Sequence, residues 1–143
     1  MALATLAGTR WAGTCELWLD PPGDTALRSP CTVTVGADAV SYEWVHEGRP
    51  QQGRLDLSAG GGAFTDTFHS PVAMPMTAVA PARALVDLAG TYAAGDGPPW
   101  GWRITLALRP SWDGAPEALV LQMTNVAPWG EEARAVRMVS ARQ

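Results

Sequence analysis

The side chains with the most chemical capacity lie in one short run, Tyr42-Glu43-Trp44-Val45-His46. Alternate residues of a β-strand point to opposite faces, so Tyr42, Trp44 and His46 are expected to share one surface. Phenol, indole and imidazole groups then combine apolar area with hydrogen-bonding atoms, which is typical of the wall of a ligand cavity. The same pattern also fits an ordinary β core whose polar atoms are satisfied, and the residues leave both interpretations open.

Two further polar or aromatic residues are expected on the inner faces of later strands. Trp102 alternates with Arg103 in one strand, and Asn125 ends an apolar run in the next. An amide on an apolar inner face must hydrogen-bond to something, either the protein or a ligand. The predicted ligand-binding residues are therefore Tyr42, Trp44, His46, Trp102 and Asn125.

Catalytic signals are weaker than binding signals. Asp66 and His69 are three positions apart in a predicted strand, so their side chains are expected on opposite faces and not as an Asp–His pair. The chain has no Gly-x-Ser-x-Gly elbow, no pair of carboxylates spaced for glycoside chemistry and no phosphate-binding loop. Histidine and cysteine spacing does not match a zinc site, so no metal or cofactor is expected. An enzyme of unknown class that uses His46 or Asp66 is the alternative to a binding protein.

The two cysteines, Cys15 and Cys31, are predicted to be reduced and to lie in or near the core. With residues 20–30 as a loop between antiparallel strands, Leu19 would face Cys31 and Cys15 would face Val35. That register separates the cysteines by roughly 13 Å at the usual strand rise. A disulfide needs Cα atoms within about 7 Å of each other. No disulfide is therefore expected.

Composition excludes several classes of function. All ten basic residues are arginines spread from Arg10 to Arg142, and the net charge is −4, so no basic patch for nucleic acid is expected. No stretch approaches the roughly 20 apolar residues that cross a bilayer. The N-terminal run before Arg10 lacks the basic segment of a secretory signal. A single domain over residues 1–143, located in the cytoplasm and without a membrane partner, is the resulting expectation.

Alternating runs separated by turn residues predict eight or nine short strands. They are expected at residues 9–19, 31–36, 39–46, 51–57, 64–69, 83–93, 100–109, 118–125 and 133–141. Asp20-Pro-Pro-Gly-Asp24 predicts a turn, and residues 70–81, with their prolines, predict a loop or irregular cover that could act as a lid. The inner face of 64–69 is left open, and a helix is the alternative for 83–93.

These strands predict an all-β fold, an up-and-down antiparallel β-barrel of about 8–10 strands. Closing consecutive antiparallel strands into a barrel removes exposed edges, and a barrel of this size has room for one small ligand. A β-sandwich is the alternative, but its Greek-key crossings usually need longer connections.

The N-terminal segment Leu6-Ala-Gly-Thr-Arg-Trp-Ala-Gly13 resembles the opening of the calycins, the superfamily of lipocalins, fatty-acid-binding proteins and nitrobindin-like haem barrels. Gly8-x-x-Trp11 departs from the usual Gly-x-Trp spacing, whereas Trp11-Ala-Gly13 is similar to the Trp-x-Gly of nitrobindin-like members. The resemblance implies a tryptophan that closes one barrel end and a ligand in the barrel mouth. Haem is not carried over, because no histidine follows Asn125 to serve as the axial ligand.

Taken together, the residues and the resemblance favour a lipocalin-like barrel that binds a small apolar or amphipathic ligand in its interior. The enzyme described above is one alternative. A barrel filled by its own side chains, acting through its surface or as a homodimer, is the other. The identity of the ligand is not determined by the sequence.

Overall fold

The computed structural model describes residues 3–19 and 25–143 and shows a closed antiparallel barrel of ten strands. The strands are β1 (Arg10–Leu17), β2 (Leu27–Val35), β3 (Ala39–His46), β4 (Arg49–Ser58), β5 (Gly61–Asp66), β6 (Ser70–Ala78), β7 (Val86–Tyr92), β8 (Trp100–Arg109), β9 (Ala118–Val126) and β10 (Glu132–Arg142). Each strand pairs with the next along the chain, and β10 closes the barrel against β1. The predicted up-and-down barrel is confirmed and the β-sandwich is not favoured. The predicted turn at 20–24 lies outside the described residues.

A short 3-10 helix, Leu3–Leu6, covers one end of the barrel, which we call the base. Close to it, the indole of Trp11 is completely buried and donates a hydrogen bond from Nε1 to Thr9 Oγ1 over 2.8 Å. The guanidinium of Arg142 lies 5.9 Å from the centre of the same ring. Trp11 is therefore buried at the base, next to the residues that follow the 3-10 helix. Within the described residues, no helix has the length and apolar character needed to cross a bilayer.

The barrel interior near the base is filled by apolar side chains. The largest of those that are fully buried are Trp11, Phe64, Leu55, Ile104, Leu106, Leu119, Leu121, Met123 and Met138. Alternate residues of β3 and β8 contribute to the buried interior, as strand alternation requires. Towards the other end, the indole of Trp102 stacks on Phe64 with ring centres 6.1 Å apart. The open space of the barrel therefore lies beyond this stack.

Residues 70–78 form a strand, and the predicted loop over 70–81 is wrong for this segment. β6 pairs with β5 over most of its length but with β7 only through Thr77 and Ala78. Pro71 and Pro75 have no N–H to donate, and such residues are tolerated where one side of a strand lacks a ladder. The prolines, which favoured a loop over a strand in the sequence, are therefore compatible with β6 because most of this strand has no ladder with β7.

β7 confirms the strand interpretation of 83–93 and excludes the helix. Its Asp87 side chain is fully buried and accepts two hydrogen bonds at 3.0 Å on Oδ1 from the guanidinium of Arg103 on β8. The backbone N–H of Arg83, in the connection before β7, donates to the other carboxylate oxygen over 3.0 Å. This ion pair holds the β6–β7 connection against the outer face of the barrel.

Both cysteines are buried and free, as predicted, but in a different register. The observed pairs are Cys15 with Ser29 and Cys31 with Gly13, in place of Cys15 with Val35 and Cys31 with Leu19. The difference arises because β2 begins at Leu27, before the predicted start, which shortens the connection from β1.

Gly13, the residue opposite Cys31, has to be a glycine. A Cβ at this position would lie 1.9 Å from the carbonyl oxygen of Val139 on β10.

The buried thiols should resist thiol reagents in the native protein. Burial, with a smaller contribution from Cys31, raises the pKa of Cys15 to about 12, and burial also raises the pKa of Cys31. Because the thiolate is the reactive species, we expect little labelling by Ellman's reagent until the protein unfolds. Mass spectrometry of samples labelled with and without guanidinium measures this. A Ser58→Cys variant supplies an exposed thiol as control, and labelling of the native cysteines as fast as this control would contradict the expectation.

Candidate functional site at the barrel mouth

The end of the barrel opposite the base carries the β3–β4, β5–β6, β7–β8 and β9–β10 turns, and we call it the mouth. A cavity of about 460 Å³ lies there, the mouth cavity. Its aromatic and polar walls are Trp18, Phe68, His69, Tyr92, Trp102 and Asn125. These side chains come from separate elements around the barrel, so closure of the sheet is what brings them together.

The mouth cavity extends to the gap where β6 and β7 part. Ser70 and Val72 of β6 line it on one side, and Tyr92 and Ala93 at the end of β7 line it on the other. The two strands share no ladder at this level, since their pairing is confined to the end nearer the base. The Val72 side chain is 80% exposed at the rim. The mouth cavity therefore reaches the protein surface beside the unpaired part of β6.

Asp66 and His69 form a pair, so the prediction that they point to opposite faces is wrong. β5 ends at Asp66 and the chain turns over residues 67–69, which carries His69 back towards the carboxylate. Asp66 Oδ1 accepts the backbone N–H groups of Phe68 and His69, each over 2.8 Å, and lies 3.3 Å from His69 Nδ1. An aspartate that accepts N–H groups two and three residues later is a turn-forming arrangement. The turn replaces the strand geometry on which the prediction depended.

The same carboxylate also holds Tyr42, which answers the open question about the inner face of 64–69. Tyr42, Gly53 and Asp66 lie side by side on β3, β4 and β5, and all three face inward. The phenol ring crosses over Gly53, which has no side chain, and its hydroxyl donates to Asp66 Oδ2. Tyr42 is thus positioned by a neighbour two strands away.

The electrostatics of this group favour an ionised carboxylate beside a neutral phenol. Burial alone would raise the pKa of Asp66, but hydrogen bonds from His69 and Tyr42 outweigh it and lower the pKa below its usual value. Burial and the nearby Asp66 charge raise the pKa of Tyr42 well above its usual value. Asp66 is therefore a buried anion whose oxygens are occupied by hydrogen-bond donors.

The His69 imidazole lies between two indoles in an aromatic cluster formed by Trp44, His46, Phe68, His69 and Trp102. Its ring centre is 5.7 Å from that of Trp44 at 27° and 5.3 Å from that of Trp102 at 35°. The ring of Phe68 makes edge-to-face contacts with both histidines, and its centre is 4.8 Å from the centre of each imidazole. Nδ1 is held by Asp66, whereas Nε2 has no hydrogen-bond partner in the part of the chain that the structure describes. His69 is therefore a fixed imidazole with one nitrogen unused.

A second polar pair lies next to Trp102. The Tyr92 hydroxyl donates to Asn125 Oδ1 over 2.5 Å, and Asn125 faces Trp102 across β8 and β9. The indole N–H groups of Trp18, Trp44 and Trp102 are buried and have no partner among the described residues. Buried donors are normally satisfied, so this concentration of unpaired N–H groups sets the mouth apart from the base.

The five predicted site residues occupy three positions relative to the mouth cavity. Trp102 and Asn125 line it, and Trp44 and His46 pack behind His69 and Phe68. Tyr42 does not line the mouth cavity. It is linked to the wall residue His69 by the Asp66 carboxylate, which contacts both side chains. Strand alternation thus predicted the inner faces of β3, β8 and β9, but not the depth of each side chain.

Four of the six aromatic and polar wall residues are not among the predicted site residues: Trp18, Phe68, His69 and Tyr92. His69 was assigned to a strand, although an Asp followed by polar and aromatic residues is also compatible with a side-chain-capped turn. Tyr92 lies at the end of the predicted strand 83–93, and its position gives no indication of a role at a site. Trp18 lies near the end of the predicted strand 9–19, and no local pattern indicates that its indole lines the mouth cavity.

A larger groove of about 580 Å³ lies on the outer face of β2–β5. Short hydroxyl side chains line it, including Thr32, Thr34 and Ser41. Its Arg54 is already paired with Asp56 over 2.6 Å. The groove therefore differs from the mouth cavity in its side chains, because hydroxyl, amide and charged groups take the place of the tryptophans and of the histidine. Among the described residues, no group of three His, Cys, Asp or Glu side chains is arranged to hold a metal ion.

No protein-family model matches this sequence, and a comparison with curated proteins finds no match. The ten-stranded antiparallel barrel is consistent with a calycin-like fold. A likeness of architecture does not carry a function, because the same fold hosts many different sites. The function must therefore be argued from the mouth cavity and its side chains.

Proposed function

We propose that this protein binds a small apolar or amphipathic molecule in the mouth cavity. The observation that carries the proposal is a cavity of about 460 Å³ walled by aromatic side chains and open at the rim. Binding sites for small molecules are usually apolar with a few well-placed polar groups. Here those groups are His69 and the Tyr92–Asn125 pair, which are fixed by bonds to the protein and would orient the polar end of a ligand.

The aromatic walls supply most of the expected affinity. Removal of apolar surface from water contributes about 25 cal/mol per Å², and aromatic rings add favourable stacking. The β6–β7 gap gives a ligand access without unfolding of the barrel. The packed base excludes a long ligand running the full length of the interior, so the ligand is expected to be small.

Fluorescence titration with 8-anilinonaphthalene-1-sulfonate, an amphipathic probe, tests the proposal. Trp102→Phe removes an indole from the wall, and we expect the probe to bind about five- to tenfold more weakly, because apolar contact and a donor are both lost. Trp112→Phe is the matched control, since Trp112 is 78% exposed and lies outside the cavity. Native mass spectrometry of the purified protein should also detect a bound small molecule. Absence of any bound molecule together with failure to bind the probe would reject the proposal.

An enzyme is the second candidate, supported by the Asp66–His69 pair. An imidazole that is held at Nδ1 by a carboxylate and lies in the wall of a cavity can accept a proton from a substrate at its other nitrogen. Substrate screening that finds a turnover lost in His69→Ala but retained in His46→Ala would favour this function. A filled barrel acting through its surface or as a homodimer would be favoured by failure of every ligand test. The cytoplasmic location and the absence of a nucleic-acid partner stay predictions from sequence.

A further inference from the structure

We propose that the ligand of the mouth cavity is an aromatic alcohol, a phenol, whose hydroxyl donates a hydrogen bond to Nε2 of His69. The inference rests on the proposed binding function and names the chemical class of ligand. It follows from the tautomer that Asp66 imposes on His69, from the absence of charged partners in the cavity walls, and from the aromatic faces around the imidazole.

The tautomer of His69 is set by its contact with Asp66. An ionised carboxylate can only accept hydrogen bonds, so the proton of a neutral imidazole must be on Nδ1, where the carboxylate oxygen is 3.3 Å away. In this tautomer Nε2 carries a lone pair and can accept a hydrogen bond from a donor. Two backbone N–H groups and the Tyr42 hydroxyl hold the carboxylate in place, so the imidazole is oriented before a ligand arrives.

The charge of the site favours a neutral hydroxyl over an acid. The described residues that line the mouth cavity include no arginine, aspartate or glutamate, and His69 is their single titratable group besides Tyr92. A carboxylate ligand would lie close to the buried Asp66 anion, and the nearest arginine to the walls, Arg134, lies over the Trp18 ring at 4.6 Å and does not line the cavity. Burial of an uncompensated charge is costly, whereas a neutral hydroxyl needs only an acceptor.

The walls favour an aromatic ring attached to that hydroxyl. The rings of Trp44 and Trp102 lie with their centres 5.7 and 5.3 Å from that of the imidazole, at 27° and 35° to its plane, so we expect a ligand to approach the edge of the imidazole at Nε2. Phe68, Tyr92 and Trp102 line the space in front of it. Aromatic rings pack on such surfaces by offset stacking or edge contact, and a phenol is also a stronger hydrogen-bond donor than an aliphatic alcohol.

Two fluorescent probes of nearly equal shape test this inference. 2-Naphthol can donate a hydrogen bond and 2-methoxynaphthalene cannot, so we expect 2-naphthol to bind about tenfold more tightly, the equivalent of one hydrogen bond. Bound 2-naphthol, excited beyond the tryptophan absorption, should also show naphtholate emission, because its excited state gives a proton to an adjacent base. His69→Phe keeps an aromatic ring between the indoles but removes Nε2, and should abolish both the preference and that emission. His46→Phe changes the other histidine of the aromatic cluster and should retain both.

The outcomes distinguish failure of the phenol inference from failure of the binding function. Equal affinity of the wild-type protein for both probes would overturn the phenol inference and leave the binding function standing. Failure of both probes to bind would count against the binding function itself. A preference for 2-naphthol that persists in folded His69→Phe, as judged by circular dichroism, would show that another acceptor is used. The wild-type comparison decides the ligand class even where a variant fails to fold.

Discussion

Replacing Asp66 by alanine should lower the free energy of unfolding by about 3 to 5 kcal/mol, because several donors lose a buried acceptor at once. The Asp66 side chain is 1% exposed and accepts hydrogen bonds from Tyr42, Phe68 and His69. Unpaired buried donors each cost about 1 to 3 kcal/mol, although their effects at one site do not simply add. Guanidinium denaturation followed by tryptophan fluorescence measures the loss.

Asp56→Ala is the matched control for this change. Asp56 is on the neighbouring strand β4, its side chain is 54% exposed and its partner Arg54 is equally exposed. Exposed pairs contribute at most about 1 kcal/mol, so this variant should be nearly as stable as the wild type. Equal losses in the two variants would show that the Asp66 network does not stabilise the fold.

The Asp66 contribution should also depend on pH. The folded-state pKa of Asp66 lies below the usual 3.8, so the folded protein binds this proton less readily than the unfolded chain. The stabilisation is therefore complete above pH 3.8 and is lost as the pH falls through the folded-state pKa. We expect the stability gap between wild type and Asp66→Asn to be constant near pH 6 and to shrink below pH 4. A gap that stayed constant into acid would contradict the lowered pKa.

Gly53→Ala should destabilise the protein by about 3 kcal/mol through a clash with Tyr42. A Cβ at Gly53 would lie 2.0 Å from Cζ of Tyr42, and relief of this overlap requires the phenol ring to move away from Asp66. The expected loss combines overpacking with the broken hydrogen bond. Gly97→Ala is the control, since its Cβ would have its nearest neighbour, the Ala94 carbonyl oxygen, at 3.8 Å. It should change stability by less than about 0.5 kcal/mol.

A double-mutant cycle shows whether Tyr42 is the cause of that loss. In a Tyr42→Leu background the ring is absent, so Gly53→Ala should cost much less than in the wild type. Thermal and chemical denaturation of the four proteins give the coupling energy. A full loss in both backgrounds would assign the effect to the β4 backbone and not to the Tyr42–Asp66 contact.

Most of the strands could be predicted from local alternation, because apolar and polar residues alternate along a strand that has one face in the core and one in solvent. β3, β8 and β9 lie close to where the alternation placed them. The prolines of β6 led to a loop prediction, because proline is rare in a strand that is paired on both sides. β6 lacks most of its ladder with β7, so it tolerates them, but the sequence does not show which ladder is absent.

The candidate site was less predictable than the fold. Tyr42, Trp44 and His46 were placed on one face correctly, since that face depends on alternation alone. Their roles depend on Asp66 and His69, which meet only because the chain leaves the strand geometry at residue 67. Residues three positions apart point to opposite faces in a strand but can meet in a turn, as Asp66 and His69 do, and the local residue types are compatible with both geometries.

Local patterning therefore specifies which residues face the barrel interior, because side-chain direction follows from backbone geometry one residue at a time. Which interior residues touch one another depends on register and closure. Tyr42 reaches Asp66 across Gly53, and His69 is enclosed by Trp44 and Trp102 from β3 and β8. Such contacts join residues far apart in the chain through the register and closure of the whole sheet, so only the tertiary structure decides where the cavity lies and which nitrogen of His69 is held by Asp66.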